Sequence, residues 1–102
     1  MEYLEIKSYV LNQYAGASAN GLIYLYDTNN HHIGNAYFVR QDSVPEPMQD
    51  SFGFYNLYFH DTEYMSVVDM LRNEGPCYLR WYGSSAAIST SCEEVGENEL
   101  TQ

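Results

Sequence analysis

The chain is poor in positive charge: 4 Lys plus Arg stand against 14 Asp plus Glu in 102 residues, a formal net charge of −10. Lys7, Arg40, Arg72 and Arg80 are scattered along it, whereas phosphate binding needs clustered cations. Direct nucleic-acid binding is therefore not expected, nor is adsorption to an anionic membrane. Long apolar runs are missing too, and none approaches the roughly 20 residues of a spanning helix. The stretch from Met1 to Lys7 is acidic and alternating, where a secretory leader has a basic start. A soluble, cytoplasmic protein is expected. Cysteine is limited to Cys77 and Cys92, too few for a zinc site built from Cys-x-x-Cys pairs. The sequence also lacks a glycine-rich phosphate cradle, a Gly-x-Ser-x-Gly elbow and the ligand rhythm of a calcium loop. No metal or cofactor is expected, and no catalytic constellation stands out.

What is present is apolar and aromatic. Hydrophobic residues make up 45% and aromatics 16%, with 11 tyrosines. That is too much apolar surface for a disordered acidic chain. One α+β domain is expected over residues 1–92, followed by an acidic, frayed tail over 93–102 that carries Glu93, Glu94, Glu97 and Glu99.

Alternation predicts a strand from Tyr3 to Val10, with Leu4, Ile6, Ser8 and Val10 on one face. Leu22 to Tyr26, apolar on both faces, reads as an interior strand that pairs with Ile33 to Val39 across the turn-forming segment Asp27 to His32. Arg40 to Ser51, with Pro45 and Pro47, reads as a long surface loop. Phe52 to His60 is the most aromatic strand. Tyr64, Val67, Val68 and Leu71 share one helical face, which predicts a helix from about Thr62 to Asn73. Asp61 is its expected N-cap, and Gly75 its left-handed closing residue before Pro76.

Cys77 to Tyr82 and Ala86 to Ser91 form the last hairpin. Pairing Tyr82 with Ala87 sets Trp81 opposite Ile88, Leu79 opposite Thr90 and Cys77 opposite Cys92, a geometry that permits a disulfide, although two reduced thiols are expected in the cytoplasm. The order is ββββαββ, with about six strands in a curled antiparallel sheet or small open barrel. Six strands present something like 600 Å² per face, and a helix of about twelve residues covers perhaps 180 Å². The surplus sheet must curl, pack on another copy or meet a partner.

Two groups of candidate binding residues emerge. Tyr78, Arg80 and Tyr82 form an aromatic shelf around a guanidinium, opposite small Ser and Ala residues. His60, with Tyr55 or Tyr58 as hydrogen-bonding neighbours, marks a candidate ligand or enzyme site between the helix, the proline-containing loop and the aromatic strand. His31-His32 reads as an exposed polar turn, and His60-Asp61 as a strand end followed by a cap. The favoured function is a non-enzymatic interaction or assembly module that self-associates through a sheet surface or edge strand. One alternative is an acidic nucleic-acid mimic that blocks a DNA- or RNA-binding protein. Another is a small-ligand or enzyme domain with its site near His60.

Overall fold

The computed structural model describes residues 2–15 and 21–90. Within them the fold is α+β, mostly strand, with two sheets and a single α-helix. The strands are β1 (Glu2–Ile6), β2 (Ser8–Gln13), β3 (Gly21–Tyr26), β4 (His32–Val39), β5 (Met48–Gln49) and β6 (Tyr55–His60), followed after the helix by β7 (Cys77–Trp81) and β8 (Ala86–Thr90). A 3₁₀ turn over Asp61–Glu63 leads into α1 (Tyr64–Asn73). One sheet has the order β1-β7-β8 and the other β2-β3-β4-β6-β5. The described residues thus hold eight strands in two sheets, where a single sheet of about six was expected.

The expected first strand divides at Lys7, and its two halves join different sheets. Lys7 N–H donates to the Tyr26 carbonyl at 2.8 Å, although Tyr26 is already partnered by Ser8. That bond holds the chain to β3 at the point where it passes from one sheet to the other. The buried face changes parity there: Ile6 is buried and Tyr9 packs on the core, while Val10 is 44% exposed.

The five-stranded sheet is not wholly antiparallel, because β4 and β6 run parallel. Parallel neighbours need a long crossover, which residues 40–54 supply. The expected loop is not all loop, since it contains β5, antiparallel to β6 at the sheet edge.

The core lies between the sheets. Ile23 and Leu25 of β3, Ala36 and Phe38 of β4 and Leu57 of β6 meet Leu79 and Trp81 of β7, Ile88 of β8 and the Val67, Val68 and Leu71 face of α1. The second sheet thus covers surface that one helix could not.

His60, not Asp61, caps the helical segment. Its Nδ1 accepts from Thr62 N, and Glu63 Oε2 accepts from His60 N at 3.3 Å. An imidazole lone pair here does the work usually done by Ser or Asp. At the other end Glu74 is extended and donates to the Met70 carbonyl at 3.0 Å. Gly75 does not take the left-handed conformation, and the Gly75-Pro76 peptide is cis.

The final hairpin pairs Trp81 with Ala86, Leu79 with Ile88 and Cys77 with Thr90. The register is two residues tighter than expected because the turn is tighter: Tyr82 N donates to Ser85 O at 2.9 Å, and Gly83 takes φ 94° as the first of two central residues. A two-residue shift preserves which face each side chain occupies. Cys77 is not opposite Cys92, which lies outside the described residues together with the acidic tail. Among the described residues, no helix is long and apolar enough to cross a membrane.

Candidate functional site

The outward face of the five-stranded sheet follows from register. β2 contributes Ser8, Val10 and Asn12, paired with Tyr26, Tyr24 and Leu22 of β3. Beside these lie His32, Asn35, Tyr37 and Val39 of β4, then Asn56, Tyr58 and His60 of β6. None of these strand positions carries Asp, Glu, Lys or Arg. Tyr37 and Tyr58 stack with centroids 5.1 Å apart and planes 14° apart. Burial first, then the neighbouring Tyr58 and Asp50, raises the Tyr37 pKa.

One corner of this face is an aromatic cluster. The His32 ring lies 5.2 Å from that of Tyr24, 5.4 Å from that of Tyr26 and 4.4 Å from that of Phe54. Its Nε2 approaches two acceptors, Asn35 Oδ1 at 2.8 Å and Gly34 O at 3.0 Å, which places the proton on Nε2. Asn35 Nδ2 donates to Asn56 Oδ1 and Asn56 Nδ2 to Asp50 Oδ2, so the donors all run toward one carboxylate. Desolvation alone would raise the Asp50 pKa. The hydrogen bonds from Asn56 and the Phe54 and Phe52 amides outweigh it and hold the carboxyl below its usual value. His32 is therefore a packed, bonded side chain on the sheet, and only His31 keeps the expected exposed turn position.

The predicted shelf lies on the outward face of the other sheet, formed by Tyr78 and Arg80 of β7, with Tyr82 just beyond the strand. Arg80 is opposite Ala87, and Tyr78 opposite Ser89. β1 adds Tyr3 from the other side: the Arg80 guanidinium sits 4.6 Å over its ring, Nη2 donates to its hydroxyl at 3.1 Å, and its ring lies 4.5 Å from that of Tyr78. A hydrogen bond with Tyr82, foremost, holds the Arg80 pKa above its ordinary value. The cation is thus occupied by its own tyrosines. Nothing local in the sequence signals that β1 pairs with β7, so Tyr3 joins the shelf only through tertiary structure.

Of the residues proposed around His60, Tyr58 shares its face of β6 and Tyr55 does not. Tyr58 lies on the outward face, whereas Tyr55 is buried on the core side, against Trp81 at 4.9 Å, and donates its hydroxyl to Glu2. Desolvation, then the Glu2 carboxylate, pushes the Tyr55 pKa up to about 12. A residue difference of three along a strand puts side chains on opposite faces. Near His60 lies a cavity of about 250 Å³, lined by Phe38, Arg40, Asp61, Thr62, Tyr64 and Met65, with Gln13 and Gly21 on its strand side. Arg40 Nε donates to Asp61 Oδ2 at 3.1 Å. His60 Nδ1 lies 3.2 Å from Asp61 Oδ1 and accepts from Thr62 N.

Among the described residues, no group of three or more His, Cys, Asp and Glu is placed to hold a metal ion. The tyrosine face had a signal in the sequence, the i, i+2 spacing of Tyr24 and Tyr26, but its neighbours on β4 and β6 depend on a parallel pairing that local pattern does not specify. Comparison with protein-family models, with curated proteins and with solved structures gave no match.

Proposed function

We propose that the protein is a non-enzymatic assembly module in which two copies pack through the outward face of the five-stranded sheet. One observation carries this reading: the strand positions of that face hold no formally charged side chain, in a chain of net charge −10. Two strongly acidic bodies repel, so a stable contact between copies must form where acids are few; at this face Asp50 stands at one corner, its carboxylate taken up by Asn56 and by the Phe52 and Phe54 amides. Depletion of charge together with enrichment of tyrosine also marks the centre of protein interfaces. Four full strands give a face of about 400 Å² in projection, against roughly 800 Å² of accessible surface per partner in a standard interface. Association through it belongs to the weak, concentration-dependent class.

Sedimentation velocity over a concentration series tests this. Raising salt from about 0.1 M to 1 M shortens the screening length from about 10 Å to 3 Å, so self-association strengthens. Tyr37→Glu, which puts a carboxylate into the face, weakens it, whereas Arg80→Ala with Tyr82→Ala leaves it unchanged. A monomer at every concentration and salt defeats the reading. An acidic mimic behaves in the opposite way, since its grip on a basic partner loosens as salt rises.

The small-ligand alternative is favoured by one observation, the cavity beside the Arg40–Asp61 pair. Amide chemical shifts of Thr62 and Met65 during a titration with small-molecule fragments test it. Shifts that stay fixed with every fragment remove it.

A further inference from the structure

β2 is the outermost strand of its sheet, and among the described residues its only strand partner is β3. Natural edge strands are protected by Lys, Pro, brevity or a covering element. The opposite edge, β5, has two residues and follows Pro45 and Pro47. β1 carries Glu2 and Glu5, and β8 is half-buried or buried along its length. Among the described residues β2 has no such protection. Its six residues, Ser-Tyr-Val-Leu-Asn-Gln, include no charge, proline or glycine, and it exposes apolar side chains on both faces, Val10 at 44% and Leu11 at 41%.

The backbone fixes which groups are free. Tyr26 O accepts from Lys7 N, so Tyr26 turns its peptide groups toward β2, and alternation along β3 gives Tyr24 and Leu22 the same direction. Their partners Val10 and Asn12 are spent on β3, as is Ser8 opposite Tyr26. Tyr9, Leu11 and Gln13 therefore point N–H and C=O away from the sheet. We infer that β2 is a second self-association site, pairing antiparallel with β2 of another copy about a two-fold axis at Leu11. In that register Leu11 faces its own counterpart and Tyr9 faces Gln13, so all the outward backbone groups of the strand are satisfied. Registers displaced by two residues leave some unpaired. The two-fold is perpendicular to the sheet, so the tyrosine faces of the joined copies lie side by side. This contact shares with the proposed function only the premise that copies associate, and it does not use the tyrosine face.

The test is crosslinking combined with mass in solution. Hydrogen-bonded antiparallel pairs have Cα atoms about 5.5 Å apart, within disulfide reach. Under mild oxidation Leu11→Cys gives a covalent dimer above the background set by Cys77 and Cys92. Val10→Cys, which faces Asn12 of the other copy, does not. Leu11→Lys sets two ammonium groups against each other and weakens association about tenfold or more, while its partly exposed position leaves the monomer fold intact by circular dichroism. Tyr37→Glu leaves the Leu11→Cys crosslink in place. If the wild-type chain associates but Leu11→Cys gives no crosslink above background, or Val10→Cys crosslinks equally, the edge pairing is wrong while the proposed face contact stands. If the wild-type chain is a monomer throughout, both fall.

Discussion

Asn35 Nδ2 donates to Asn56 Oδ1 at 2.9 Å across the parallel strands β4 and β6, with the two residues 6% and 5% exposed. Each amide is held at its other end, Asn35 by His32 and Asn56 by Asp50. A buried amide bond of this kind favours one alignment of two strands, since any slip leaves its donors unpaired.

Asn56→Ala leaves the covered Asn35 donor without a partner and costs about 1–3 kcal/mol in a urea unfolding series. Asn35→Ala costs a similar amount. The double variant loses less than the sum of the two, by about 1 kcal/mol, because the second deletion removes a group already left without its partner.

Two glycines on the core side of the sheet are fixed by contact. A Cβ at Gly21 would lie 2.6 Å from Tyr64 Cε1, and one at Gly34 would lie 2.5 Å from the Tyr55 carbonyl oxygen. Gly21→Ala must displace a ring at the start of α1 and costs about 1–3 kcal/mol. Gly34→Ala is worse, since backbone of the neighbouring strand has to move. Thermal melts that rank the two in the other order contradict this account of β4–β6 packing.

Asp50 sets an acid limit. Its folded pKa lies below the ordinary 3.8, so its contribution is complete above that value and is lost as pH falls through the folded pKa. Stability therefore declines at the acid end of the profile. Asp50→Asn lowers stability at pH 7 and flattens that limb, measured by unfolding between about pH 2 and pH 7.

Tyr55 sets the alkaline counterpart. Its pKa is raised from 10.0 to about 12, so its contribution is complete below the unfolded value and is lost between the two. Absorbance titration finds this phenol ionising late. Glu2→Gln brings its pKa only part of the way back, because desolvation is the larger cause and remains.

The helix was legible because Tyr64, Val67, Val68 and Leu71 are a local pattern that the tertiary structure had no reason to override, and Val67, Val68 and Leu71 are buried as it implies. The shelf residues Tyr78 and Arg80 were legible in the same way, since period-two alternation survives an error of two in register. The candidate site at His60 was not. Of its two alternative neighbours, Tyr58 shares the face of β6 with His60 but Tyr55 faces the core, and the cap role given to Asp61 is filled by His60.

The amino-acid sequence by itself determined the α+β class, the strand and helix periodicities, the acidity and the surplus of tyrosine, because all of these reside in composition or in spacings of a few residues. Only the tertiary structure decided that the first strand breaks at Lys7, that β4 and β6 run parallel, and that Tyr3 completes the Arg80 shelf. These depend on pairings between segments far apart in the chain, and an alternating strand offers the same backbone groups to any neighbour. Packing chooses among them by burying one face of each strand, and that choice left the tyrosine face and the β2 edge on the outside.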